Sequence, residues 1–332
     1  MRSNTDEAAS PFDTVSSTET TQRERYLRKL NEFVIAPSKV VWSDLRARVG
    51  LAIVLFYVLV GTVGVLVVQK PSIGGPQLES WFVSMEYPLG TDQLGQSLLA
   101  LTVHATPAML LMLLSGGVFT TVLATVFGTV AGYKGGYADW ILTTFNDVAM
   151  SIPGLPLVLV VAIALEPSHP IYVGMVLSIN AWAGLGRSIR SQVLALREES
   201  YVEAAHAMGV PTRSIITRDL LPNLMPYIAI SFVQAGRQVI FGSVALYFIG
   251  ALPFNQLNWG VVLNQAYSRG ALYTPGSLHW IMIPIIAILF LVLGLTLFAQ
   301  GTERIFNPRI RARHADAGSG DGEEPAPTVG AD

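Results

Sequence analysis

Six long apolar runs dominate this chain and restrict it to one kind of fold. They are Val49–Gln69, Ala105–Tyr133, Ile141–Leu165, Ile171–Gly186, Leu224–Gly250 and Leu278–Gln300, and Asp147 and Arg237 are the charges inside them. The fourth is shorter than the rest and extends through Arg187. A bilayer core about 30 Å thick is crossed by roughly 20 helical residues. Within hydrocarbon every backbone N–H and C=O must find a partner inside the protein, so only helices and closed barrels span. A barrel would alternate in segments of about ten residues, and these runs do not. The expectation is an all-α polytopic membrane protein with six transmembrane helices. Composition agrees: 13% of residues are charged and mean hydropathy is +0.48, whereas soluble domains are about a quarter charged. With no cysteine, disulfides and thiolate metal sites are excluded. No two of the five histidines stand at i,i+4. The first run begins at Val49, too deep and too long for a signal peptide.

Orientation follows from the basic residues, which collect on the cytoplasmic side. Of 21 Lys and Arg, all but Lys70, Arg269 and the mid-span Arg237 fall before the first run, at Lys134, between Arg187 and Arg218, or after the sixth run. Both termini and the loop between the fourth and fifth runs are therefore expected inside, giving an N-in/C-in topology. Residues 1–22 and the end of 307–332 are polar and too poor in apolar side chains to offset the entropy of ordering, so both tails are expected to be disordered. Between them lie an amphipathic segment 23–48, a first transmembrane helix 49–69, an extracytoplasmic loop 70–104, and a core 105–306 with five helices. Segment 23–48, with Tyr26, Leu27, Leu30, Phe33 and Val34 at helical spacing, reads either as a membrane-surface helix or as an ordinary positive-inside flank.

Tyr201–Pro226 is polar, although spans flank it. It reads as two short helices hinged at a glycine. Glu199–Met208 is a good helix former, kept slim by Ala204, Ala205 and Ala207. Gly209 follows as the C′ residue, where a positive φ costs glycine little. Thr212 is placed to cap a second helix running through Arg218, and Leu221-Pro222 to end it and redirect the chain into the fifth span. Glu203 is placed to pair with Arg213 or Arg218 across the hinge. Such a segment fits a lever that meets a partner outside the membrane; a plain helix-turn-helix connection is the simpler alternative.

Glu203-Ala204-Ala205, Gly209 and Leu221-Pro222, spaced as they are between the fourth and fifth spans, resemble the cytoplasmic coupling loop of permease subunits in prokaryotic ATP-binding-cassette importers. Tyr87 to Gly95, YPLGTDQLG, resembles the HPLGTDxLG signature of the branch that contains the second permeases of dipeptide, oligopeptide and nickel importers. Asn223, Phe248-Ile249-Gly250 and Trp259-Gly260 fall where that branch has LPN, FLG and WG. The likeness runs from about Arg46 to Arg309. Tyr87 replaces the branch's histidine, Gln96-Ser97 its Arg-Asp pair, Asp219 a basic residue, and Ser243 stands near a frequent glutamate; the departures at 96–97 and 243 bear on the substrate, not on coupling. The resemblance implies a type I importer permease fold with a coupling loop at about 190–222. It also implies a second homologous permease, two ATPase subunits that hold the ATP and Mg, and an extracytoplasmic solute-binding protein. The setting would be the plasma membrane of a prokaryote, the cargo a di- or oligopeptide, with nickel or an oligosaccharide as the alternatives. No cofactor is expected in this chain, and no nucleic acid among its partners.

Nothing in the sequence argues for catalysis. There is no Gly-x4-Gly-Lys-[Ser/Thr] phosphate loop, so ATP hydrolysis falls to other subunits. A secondary carrier or channel would need intramembrane carboxylates for ion coupling, and Asp147 is the one present. A membrane-integral enzyme would need clustered His, Asp or Glu in the spans. The remaining polar positions are Asn146 and Asp147 in the third span and Gln234, Arg237 and Gln238 in the fifth. The last three share a helix face. A charge at mid-bilayer costs at least about 2.5 kcal/mol, so Arg237 is expected to face protein or water, as part of a pathway or of a subunit interface. Gly128-x-x-x-Gly132 reads as a close helix contact.

Overall fold

The computed structural model describes residues 42 and 44–306, with side chains as far as Thr302. The expected tails 1–22 and 307–332 and nearly all of the amphipathic segment 23–48 lie outside the described residues. Among the described residues the fold is helical, and pairing of the β type is limited to one bridge between Thr91 and Ser97.

Helix α1, Leu45–Val67, starts four residues before the first apolar run. Asp44 explains the start: its carboxylate accepts from the Arg46 and Ala47 N–H groups, at 2.7 and 3.2 Å, and so satisfies two free donors of the first turn. α2, Leu98–Lys134, also begins earlier than expected, capped by Ser97, and takes 98–104 out of the loop. The third run is broken into α3, Gly136–Ser151, and α4, Gly154–Leu165, which meet at 85° at Ile152-Pro153. The fourth run is divided between α5, Pro170–Leu177, and α6, Ala181–Arg197. α7, Ser200–Ala207, is short and polar. α8 runs without interruption from Thr212 to Phe248, α9 is Trp259–Ser268, and α10 is Leu278–Phe306.

By length and apolarity α1, α2, α8 and α10 can each cross a membrane, and α3 with α4 adds a fifth crossing if the bent pair counts as one. Their outward faces carry large bare apolar side chains, among them Leu66, Val118, Val126, Val160 and Ile163. A water-facing surface rarely does this over so wide an area, and the protein is a multi-pass membrane protein.

α2 is the axis of the bundle and packs against α5, α6 and α8, while α1 lies along α10. The middle of the core holds Tyr57, Met109, Ile240, Trp259 and Leu291. Its two polar tips are satisfied by backbone: Tyr57 donates to the Ala287 carbonyl at 2.6 Å and Trp259 to that of Thr102 at 3.1 Å. A second cluster, with Trp182, Ile189, Val193, Val202, Ile215 and Leu220, sits where α6, α7 and α8 meet. At the other end of α2 the 68–97 segment is folded, not loose. The Asp92 carboxylate accepts from the Leu94 and Gln96 N–H groups, and Thr91 donates to the Pro76 carbonyl and accepts from the Glu79 N–H. His279 Nε2 donates to the Thr91 carbonyl at 3.0 Å, which ties the segment to the start of α10.

Candidate functional site: the coupling segment and its anchorage

α7 is largely exposed. Glu203, Ala204, His206, Ala207, Met208 and Gly209 are exposed, Ala205 is half-buried, and Val202 is buried against the α6–α8 cluster. One row of the helix thus roots it, while the exposed side carries Glu203 and His206 beside Ala204 and Ala207. Its end is a full Schellman motif. Gly209 takes φ +75°, its N–H donates to the His206 carbonyl at 3.0 Å, and the Val210 N–H donates to that of Ala205 at 3.1 Å. Val210 and Ala205 pack on the same cluster, the apolar contact that accompanies this motif.

Three local expectations are corrected. Leu221-Pro222 does not end a helix. α8 continues through it, because a wide π-turn at Ile216–Leu220 opens the backbone just before the proline. Pro222 has no N–H to offer the Arg218 carbonyl and would collide with it in a regular helix; widening the preceding turn relieves both problems. Thr212–Phe248 is consequently one continuous rod. The N-cap of that rod is Pro211, not Thr212, which is its first residue. Finally, the ion pairs among the described residues are Arg187–Asp147 and Arg190–Asp139, so Glu203 is not bridged to Arg213 or Arg218. What crosses from α7 to α8 is a hydrogen bond from Asn223 Nδ2 to the Tyr201 hydroxyl, 3.1 Å.

The sequence reading missed the clasp behind α7. Arg187, Arg190 and Arg197 lie along one side of α6. Arg190 holds Asp139 of α3 through two bonds, 2.5 and 2.6 Å, and Arg187 pairs with Asp147, also on α3. Arg197 Nη1 donates to the Gly132 and Tyr133 carbonyls at 3.4 Å, at the end of α2 where carbonyls lack helix donors. Read as loop charges, these arginines signalled only orientation. Their i, i+3, i+10 spacing beside two aspartates eight residues apart was the available clue. A cleft of about 700 Å³ opens beside this clasp, lined by Tyr133, Lys134, Arg197, Glu198, Glu203 and His206 among others.

Gly128 and Gly132 bring α2 onto α6. A Cβ at Gly128 would lie 2.5 Å from the Gly186 carbonyl oxygen, and one at Gly132 2.9 Å from that of Arg190. Asn146 is buried with its Oδ1 unpartnered and faces Gly186, whereas Asp147 is half exposed in its pair with Arg187. Gln234, Arg237 and Gln238 share one face of α8. Both glutamines are exposed, and Arg237 donates to the Thr296 hydroxyl of α10 at 3.2 Å. They lie on the rod that follows α7 in the chain. Ser243 is fully buried and donates to the Ile240 carbonyl.

The fold is thus a helical membrane bundle with one short, largely exposed helix packed on it through Val202. The chain belongs to the family described as binding-protein-dependent transport system inner membrane component, whose sequence model matches residues 124–312 and so spans α3 to α10. Curated relatives extend the likeness toward α1. The dipeptide transport system permease protein DppC of Bacillus subtilis is 27% identical over 278 residues, 80% of this chain and 82% of the relative. The oligopeptide transport system permease protein OppC of the same organism is 23% identical over 282 residues, 81% and 87%. The glutathione transport system permease protein GsiD of Pectobacterium atrosepticum is 28% identical over 244 residues, 72% and 75%.

Proposed function

We propose that this chain is a permease subunit of an ATP-driven, binding-protein-dependent importer of di- and oligopeptides in a prokaryotic plasma membrane. The observation that carries the reading is α7: a slim helix, rooted by Val202, stopped by a Schellman turn and joined through Pro211 to a rod that includes the fifth span. The peptide cargo is supported by relatives named for dipeptide, oligopeptide and glutathione transport.

The chain crosses the membrane six times, as α1, α2, α3–α4, α5–α6, α8 and α10, with both ends and α7 in the cytoplasm, where most Lys and Arg lie. Two ATPase subunits, with ATP and Mg, and a second homologous permease complete the membrane assembly, and a solute-binding protein delivers peptide to the face bearing residues 68–97. When the ATPases close on ATP they displace α7. The displacement passes through Val202, Ala205 and Val210 into α8, and through Arg190 and Asp139 from α6 into α3. Glu203, Ala204, Ala205, Gly209, Leu221 and Pro222 belong to this lever and its root. The chain contributes geometry and no covalent chemistry.

The test is uptake by proteoliposomes holding the complete complex. Labelled dipeptide should accumulate only with ATP and binding protein, and a cysteine introduced by Ala204→Cys should cross-link to an ATPase subunit. Uptake without ATP, labelling of that cysteine from the outside of whole cells, or accumulation of nickel or oligosaccharide in place of peptide would each overturn the reading.

A further inference from the structure

The third and fourth membrane segments are both broken, and the two breaks touch. In a regular helix the Ala149 carbonyl would accept from the N–H of residue 153 and the Ile152 carbonyl from that of residue 156. Both positions are proline, so neither donor exists. In place of those donors, Asn180 Nδ2 donates to the Ala149 carbonyl at 3.1 Å and to the Ile152 carbonyl at 3.0 Å. Only the amide nitrogen can serve two carbonyl oxygens, which fixes the orientation of the side chain. Gly154 leaves room for it: a Cβ there would lie 3.1 Å from Asn180 Oδ1.

Asn180 itself sits in the second break, between α5 and α6. Much of the backbone of that break is satisfied locally. The N–H groups of Ser178, Ile179 and Ala181 donate to the carbonyls of Met175, Val176 and Ser178, and Trp182 Nε1 donates to that of Ile179 at 2.9 Å. The amide of Asn180 is thus free to cross to the other break. On one side of the two breaks α3 and α6 form a unit: Phe145 stacks on Trp182 with centroids 5.7 Å apart, and the Arg190–Asp139 and Arg187–Asp147 pairs clasp the two helices together. On the other side α4 and α5 share a cluster of Val158, Ala162, Val173 and Val176.

We infer that Asn180 is the pin of a single joint: its amide supplies the two donors that Pro153 and Pro156 withdraw, so that the α3–α6 pair and the α4–α5 pair turn about one point. It is a positioning residue, fixing the angle between the lever-side and the opposite half of the transporter core. An unpartnered carbonyl in hydrocarbon is strongly disfavoured. Without the amide, the two carbonyls would have to recruit water, and the two halves would no longer move as bodies.

The chain has no cysteine of its own, so spin labels introduced by Ile141→Cys on α3 and Ile163→Cys on α4 report the bend directly. Both positions are exposed. Measured in the assembled complex in nanodiscs, the unmodified joint should give one narrow distance without nucleotide and one with ATP trapped. Asn180→Leu, similar in shape but without a donor, should broaden both and lower ATP-dependent uptake roughly tenfold, the size expected for losing hydrogen bonds to carbonyls that have no other donor. In the Pro153→Ala, Pro156→Ala background the backbone regains its own N–H groups, and Asn180→Leu should then add no further broadening. Loss of Asn180→Leu protein in the proline background alone supports the joint in the same way.

An unchanged distance distribution for Asn180→Leu would overturn the inference. Equal broadening in both backgrounds would do so too, as would loss of the protein in both, because the amide would then be needed where no carbonyl lacks its helix donor. The uptake arm rests on the importer reading and the distance arm does not, so the joint and the proposed cargo can fail separately.

Discussion

Replacing Gly209 with valine isolates the backbone of the lever from everything else. Gly209 has φ +75°, and nothing lies within 4 Å of where its Cβ would be. A Cβ there meets no neighbour, so the penalty is conformational in origin. An L-residue in the left-handed region costs about 1–2 kcal/mol, and a β-branched residue lies at the upper end or beyond. The alternative is to release the turn, which gives up the Gly209–His206 and Val210–Ala205 hydrogen bonds, each contributing about 1 kcal/mol. Either way the rooted geometry of α7 loses roughly 2 kcal/mol relative to a released one, about a thirtyfold shift in their ratio. Gly209→Val should therefore leave the amount of chain in the membrane unchanged, because no core contact is touched, while peptide transported per ATP hydrolysed falls at least about tenfold. Proteoliposome uptake and phosphate release, measured together, give that ratio. Gly209→Asn is the control: asparagine tolerates the left-handed region and should keep most of the coupling. A normal coupling ratio in Gly209→Val would refute the argument. So would an equal loss in Gly209→Asn, since side-chain bulk and not φ would then be the cause.

Arg190→Ala should lower the thermal stability of the purified complex by about 1.5–3 kcal/mol, the range for a charged hydrogen-bonded partner, and Arg190→Lys should recover only part of it, because an ammonium cannot hold both Asp139 oxygens at once; full recovery by lysine would show that the paired geometry is irrelevant. Gly128→Val should prevent α2 from seating on α6, where its Cβ would sit 2.5 Å from a backbone carbonyl oxygen that cannot yield, and the chain should be degraded in cells; wild-type membrane levels would contradict that packing. Arg237→Ala should alter peptide uptake while the assembled complex and its basal ATPase activity persist, as expected if the α8 face with Gln234 and Gln238 lines the pathway; loss of the complex in co-purification would place that face at a subunit interface instead.

The amino-acid sequence by itself determined that this is a helical membrane protein and where a polar helix, stopped by a glycine, interrupts its apolar runs. Each of these rests on a local property: an apolar run is insoluble wherever it is, and a glycine after an alanine-rich helix takes a positive φ whatever surrounds it. The lever's stop at Gly209 and the close contact at Gly128 and Gly132 were legible for that reason. The tertiary structure alone decided how the chain compensates for its local faults. Pro222 is a helix breaker by its own chemistry, yet a π-turn carries α8 through it because the fifth span is packed on both sides of the proline. The carbonyls of Ala149 and Ile152 lose their donors to Pro153 and Pro156, and the donor that replaces them is on Asn180, about thirty residues away. Arg187 and Arg190 look like topology charges until α3 is folded beside α6 and presents Asp147 and Asp139 to them. A sequence states which groups lack partners; which distant group meets the need depends on segments that approach one another only when the bundle closes, and that distance is not written in local pattern.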